Sequence, residues 1–359
     1  MKKINTLLLA SLFLFFFFTG CSDDDAITPP DDKQEEINPM EAYIPLKSKP
    51  AANKKDLLGK GYDYTGAYAS DSYVRESIID FEKYKNDSQF GYSESGCFTW
   101  SNFTASGYNA WNYTKQLTTL SNDSYWNPIP DNMVAFSGSI LDNEMLYNKD
   151  NENLKDYSFA STHYYHYLYQ YFFLDVYDEL KEFLSDNFKN DLTLLSANEI
   201  IEKYGTHMIH TYTTGSRLDF TYRSKIDKSD LPSDANSNDY YIWAGLNHTM
   251  RKMGYRPNGP GDSPSEDVVK RNEVPILYIE NHGGDNWLIP SGTYNLQKGY
   301  PRVDIYKWEE SLTEENAALV ELKLEDLVPI YELVTDDSKK AEIQEAVEKY
   351  IRSRQIVSE

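Results

Sequence analysis

Six histidines, two cysteines and 57 acidic residues are the side chains through which this sequence could do chemistry. Two histidine pairs, His163/His166 and His207/His210, have a spacing of three. Neither carries the glutamate of a helical zinc-hydrolase motif. On a strand, residues three apart face opposite sides, so neither pair can close on one ion. Cys97 has neither a disulfide partner nor the histidine a nucleophilic thiol needs. There is no glycine-rich phosphate loop and no nucleophile elbow. Paired carboxylates could do glycosidase chemistry, but nothing singles out a pair among so many. The sequence therefore assigns no catalytic, cofactor-binding or metal residue, and the expectation is a protein that is not an enzyme.

The elements that would position any site read unevenly. Ser196-Ala197-Asn198-Glu199 is a capping box, in which the two side chains satisfy each other's free backbone donors. It opens a helix from Ala197 to Tyr204, and Gly205 closes it with a positive φ. A strand follows, with Leu218, Phe220 and Tyr222 on one side and Arg217, Asp219, Thr221 and Arg223 on the other. Thr162 to Phe173 is dense in Tyr and Phe and reads as another strand. Val274 to Glu280 is a further strand, turned by Asn281-His282-Gly283-Gly284-Asp285. The partial alternation of residues 134–141 suggests a strand too, followed by a polar excursion. Residues 73–84 and 174–195 carry helical spacing, and Gly91 to Leu120 suits strands and turns. Asn127 to Asp131 is a loop, residues 224–270 form a long Asp-, Gly- and Pro-rich excursion, and an amphipathic helix follows Asp336.

The N-terminus has a different logic. Lys2-Lys3, an apolar run from Leu7 to Phe18 and Thr19-Gly20-Cys21 are the layout of a signal peptide. The run is short of the roughly 20 residues that span a bilayer. Gly20 directly before Cys21 is similar to a bacterial lipoprotein signal, in which the cysteine becomes the acylated first residue. Residues 1–20 are then the signal, and 21–54, acidic and Pro-containing, a flexible tether. The acids Asp23, Asp24 and Asp25 resemble the export signal that carries Bacteroidetes lipoproteins to the outer face of the outer membrane. Losing the signal removes Lys2 and Lys3 from 35 basic residues, leaving 33 against 57 acidic ones, a net charge of −24. Such a chain repels nucleic acid.

Residues 55–359 read as one domain, and one motif in it stands out. Tyr204-Gly205-Thr206-His207, at a helix-to-strand junction and followed by Thr214-Gly215, resembles the signature of the membrane attack complex/perforin (MACPF) family. Thr214 stands where the family pattern has the first glycine of a pair. The context, from about residue 60 to 355, is similar as well. Phe136-Ser137-Gly138-Ser139 resembles the start of a strand–excursion–strand unit, and Trp308 with Leu327-Val328-Pro329-Ile330-Tyr331 resembles the closing segment. The resemblance implies an α+β fold, MACPF/cholesterol-dependent-cytolysin-like, with a bent and twisted four-stranded antiparallel central sheet flanked by helical clusters. Gly283 and Gly284 would serve the bend of that sheet. It also implies a mechanism: monomers form a ring on a target membrane, and both clusters unfurl into hairpins of a closed barrel. The lipoprotein character extends the resemblance to the secreted antimicrobial MACPF proteins of Bacteroidales. The partners implied are a target membrane or a surface receptor on it, protein or glycan, and further copies of the chain. The competing reading is a non-lytic adhesin or glycan-binding lipoprotein on the same fold.

Overall fold

The computed structural model describes residues 40–43, 56–120, 134–227, 235–255 and 264–357. The residues read as a signal peptide, Cys21, most of the stretch read as a tether and the 127–131 loop lie outside the described residues. The chain from Asn38 to Glu359 forms one compact unit.

Its strands in chain order are β1 (Met40–Tyr43), β2 (Lys60–Tyr62), β3 (Val74–Ser77), β4 (Tyr92–Gly107), β5 (Ser158–Phe173) and β6 (His207–Ile209). These are followed by β7 (Thr211–Ile226), β8 (Asn272–His282), β9 (Gly292–Asn295), β10 (Ala318–Glu321) and β11 (Leu327–Pro329). The main sheet has the order β1-β9-β8-β7-β5-β4, with β10 on β7, and a smaller sheet has the order β11-β6-β2-β3. All pairings are antiparallel. The four-stranded centre expected from the resemblance is the run β8-β7-β5-β4, extended on one side by β9 and β1. β1 lies inside the stretch read as a tether, so that stretch is ordered where its backbone pairs with Gly292–Tyr294.

The helices are α1 (Phe81–Asp87), α2 (Ala110–Leu120), α3 (Gly138–Leu141), α4 (Tyr177–Leu180), α5 (Asp186–Leu194), α6 (Ala197–Tyr204), α7 (Ala235–Lys252), α8 (Glu266–Lys270), α9 (Ile305–Glu310) and α10 (Asp337–Arg354). Four of them sit in the two connections between long strands. The β4–β5 connection holds α2 and α3, and the β7–β8 connection holds α7 and α8. In-register partners of adjacent strands point to the same face. On one face Phe159, Ala105, Ile276 and Tyr278 pack against Tyr113, Leu117, Ile140 and Leu146 of the first connection. On the other, Leu218, Phe220, Tyr222, Leu277 and Ile279 take Ile242, Leu246 and Met250 of α7, spaced at four, with Met253 just after its end. The two clusters therefore lie on opposite faces of one sheet.

Several local readings change. Residues 134–141 are not a strand. Val134 to Gly138 are buried without interruption, so no alternation of environment exists there, and Phe136 sits at φ 57 before the short α3. The first strand of the β4–β5 unit is instead Tyr92–Gly107, exposed over most of its length because it is the edge strand. The helical spacing of 73–84 resolves into β3, drawn into pairing with β2, and α1, whose N-cap Asp80 accepts from the Lys83 backbone N–H. The 174–195 stretch is broken at Leu184, and Ser185 caps a new helix by accepting from the Phe188 N–H. Leu180, Phe183, Leu184 and Phe188 are buried as their spacing requires, but Val176 is exposed.

Candidate functional site

The signature tetrapeptide is a joint between α6 and the small sheet. The Ser196–Glu199 capping box is present in both directions and starts α6. Tyr204 ends it, fully buried, with its ring edge-on to Phe188 at 4.9 Å and its hydroxyl donating to Asp191 at 2.6 Å. Gly205 follows at φ 75 and ψ −163, a region essentially reserved for glycine. A Cβ there would lie 2.6 Å from the carbonyl carbon and oxygen of Tyr62. That close approach lets the Thr206 N–H donate to Tyr62 O, while the Thr206 hydroxyl oxygen accepts from the Tyr64 N–H. Ile330 N–H donates to Thr206 O, so two distant segments, around Tyr62–Tyr64 and at Ile330, converge on Thr206.

His207 stacks on Tyr64 with ring centroids 4.8 Å apart, and its Nδ1 lies 2.9 Å from the Thr206 hydroxyl. Burial drives its pKa down to about 3, against a smaller opposing pull from Asp63. The folded protein thus binds a proton here more weakly than the unfolded chain, whose His titrates near about 6.5. Between those values the unfolded state holds more protons, so this group takes stability away as pH falls from about 6.5 towards 3, at up to about 1.4 kcal/mol per pH unit. His207→Gln should flatten that slope in denaturant titrations at pH 7, 6 and 5. Asp326, raised to about 7 by burial, has the opposite sign and cancels in the difference between the two proteins.

Gly215 and the Gly283-Gly284 pair form a second locus where β10 joins β7, apart from the tetrapeptide. A Cβ on Gly215 would lie 2.0 Å from His166 O, at the register shift between β5 and β7. Gly283, at φ 74, has its Cβ position 2.5 Å from Gly215 O. Gly215 pairs with Ala318, so here β10 joins β7 beside the turn after β8. Gly284 (φ 68) donates to Asn316 O, and the buried Trp308 indole N–H donates to Asn281 Oδ1 and Gly283 O. The structure thus brings Gly215 and Gly283 together and leaves Tyr204 to His207 elsewhere.

The histidine pairs separate as strand geometry requires. His163 Nδ1 lies 2.6 Å from Asp219 on one face, while His166 lies under Trp100 on the other. His207 is in the small-sheet joint, and His210 Nε2 lies 3.2 Å from Asp175 O. What the sequence reading missed is a buried charged network on the face that receives the first cluster. Arg217, fully buried, donates to Asp219 Oδ2 at 2.9 Å, Val320 O at 2.9 Å, Tyr68 O at 3.2 Å and His282 Nε2 at 2.8 Å. Burial alone would raise the Asp219 carboxyl, but Arg217, His163 and His282 hold it well below its usual range. Asp219, Glu280 and His282 bring ligand atoms within 4.8 Å, a spacing that could close on a metal ion. The Arg217 guanidinium already occupies the bonding positions of two of the three and supplies the positive charge. The network lines a cavity of about 520 Å³ between sheet and first cluster, together with Asp142 and Glu144. The signal for it was in the sequence: polar residues two apart, Arg217/Asp219 and Glu280/His282, fall opposite each other once β7 and β8 pair.

An antiparallel sheet of long strands, carrying helical clusters in two strand connections and on opposite faces, and joined through an aromatic-Gly-Thr-His turn, defines the MACPF class of fold. The model of the MAC/Perforin domain family matches residues 51–359, and the chain belongs to that family. A MAC/Perforin-domain protein from Bacteroides thetaiotaomicron superposes with a TM-score of 0.67 at 14% identity, covering 86% of this chain and 63% of that one. GNIP1Aa from Chromobacterium piscinae gives a TM-score of 0.58 at 19% identity, covering 86% and 57%. The chain thus spans less than two thirds of either. No curated protein matches it.

Proposed function

We propose that this chain is a pore-forming MACPF lipoprotein that acts on the membranes of competing bacteria. Lipidated at Cys21 and held at the outer face of an outer membrane before release, it assembles into a ring and inserts hairpins drawn from its two clusters. One observation carries the reading. Ser158 pairs with Ser224, so β4 ends, β5 begins, β7 ends and β8 begins at the same end of the sheet. Residues 108–157 and 227–271 therefore leave the sheet side by side, each within an antiparallel strand pair. Extended in register, both would lengthen the sheet in one direction, and each is long enough for two membrane strands of roughly 10 residues. Among the described residues no helix is long and apolar enough to cross a membrane. A barrel does not need one, because closing it satisfies every strand backbone. Release of an entrapped dye from target cells or liposomes tests the reading. The second reading, a non-lytic surface adhesin, is favoured by Pro257, Pro260 and Pro264 in the second segment, since proline cannot donate to a strand ladder. Binding to cells without any leakage would select it.

Lipidation has its own test. The Cys21 thiol is the single acylation site at the cleavage point, so Cys21→Ser should move the protein from the membrane pellet to the soluble fraction. A variant that still pellets with outer membranes overturns this assignment.

A further inference from the structure

The free edge of the main sheet carries a groove that belongs to neither the signature nor the clusters. Trp100 of β4 is 52% exposed, and its indole lies on the His166 imidazole with ring centroids 3.6 Å apart and planes at 25°. One face of the indole is thus covered, and the ring is held rigid while its other face stays open. The next in-register pair on the same side is Asn102 with Tyr164, whose ring packs edge-on to Phe220. Glu309 of α9 stands across from them. Trp100, Ser101, Asn102, Tyr164, Tyr165 and Glu309 line a space of about 600 Å³. Glu309 is partly buried, and among the described residues its carboxylate makes no hydrogen bond or ion pair; burial alone raises its pKa. A carboxylate taken partly out of water without a donor is destabilising until a donor arrives.

We propose that this groove binds a pyranose ring of a surface glycan. A pyranose has one flat C–H face and a rim of hydroxyls. The open indole face, held by His166, suits the former, since aromatic rings bury much apolar surface at fixed geometry. The Glu309 carboxylate accepts from sugar hydroxyls, and the Asn102 amide on the same side can both donate and accept. The volume falls within the roughly 300–1,000 Å³ of small-ligand sites. A quaternary ammonium would also favour aromatic rings and a carboxylate, but it is held by rings on several sides and makes no use of neutral hydrogen-bond donors. Binding here is a property of the monomer and does not depend on pore formation.

The test is calorimetric titration of the full chain with free mannose-, galactose- and N-acetylglucosamine-terminated oligosaccharides, with choline chloride as the counter-probe. At least one oligosaccharide should bind saturably. Trp100→Ala should weaken it by at least about tenfold, as loss of a central aromatic anchor does, with the melting temperature unchanged. Glu309→Gln should weaken it less, and Trp287→Ala, exposed but not lining the groove, should leave it unchanged. Should Trp100→Ala fold poorly, Asn102→Ala on the exposed edge gives the same readout. The proposal is overturned if no oligosaccharide binds, if binding survives both Trp100→Ala and Asn102→Ala, or if choline binds in place of the sugars.

Discussion

Gly205→Val is expected to destabilise the protein by roughly 2–6 kcal/mol, a large part of a typical domain's whole stability. Two terms add. A β-branched residue forced to φ 75 and ψ −163 costs about 1–3 kcal/mol. Its Cβ would also press within 2.6 Å of the Tyr62 backbone, and overpacking of that kind costs about 1–3 kcal/mol more. Backbone on both sides prevents relief, since moving Tyr62 breaks its hydrogen bond from Thr206 and the pairing of β2 with β6. Gly91 separates the terms. It has φ 74 but nothing within 4 Å of its Cβ position. Gly91→Ala should therefore show only the conformational cost, while Gly205→Ala shows both. Urea titration of the two alanine variants measures the difference, and equal midpoints would mean that the contact with Tyr62 carries no energy.

The second large effect is on leakage. If the first cluster must leave the sheet, a covalent tie between it and the body abolishes pore formation without touching target binding. The Ser139 hydroxyl accepts from the Tyr68 backbone N–H at 3.0 Å, so the two residues are direct neighbours across the contact and the pair at which to place a disulfide. Ser139 lies in the β4–β5 connection and Tyr68 in the body, beside the carbonyl that accepts from Arg217. With Cys97, a free thiol, replaced by Ser, the Tyr68→Cys/Ser139→Cys protein should bind target cells when oxidised yet release no dye, and reduction should restore leakage. The physical reason is that a barrel with one hairpin missing leaves strand edges unpaired in lipid, where each unpaired group costs several kcal/mol. Equal leakage in both redox states would show that this cluster stays folded during pore formation.

Local chemistry was legible wherever a few neighbouring residues decide the structure. The capping box at Ser196, the positive φ of Gly205, the turn at Gly283-Gly284, the alternation of β7 and the final helix all depend on backbone sterics and bonds within a few residues. The signature tetrapeptide belongs with them, and with it the family was readable before any tertiary contact was known. Where partners lie far along the chain, the local pattern misled. Residues 74–77 have helical spacing but form a strand, because the β2 backbone offers hydrogen bonds that a short isolated helix cannot match. Val134 to Gly138 mimic a strand because every side chain there is enclosed, which removes the contrast that periodicity reports. The edge strand β4 was obscured for the opposite reason, since most of its side chains meet solvent. The buried Arg217–Asp219–His282 network could not be read from β7 alone, where its polar residues suggest a solvated face. Only the docking of the first helical cluster onto that face buries them, and only the pairing of β7 with β8, set by register across more than fifty residues of intervening chain, gives Arg217 its partners.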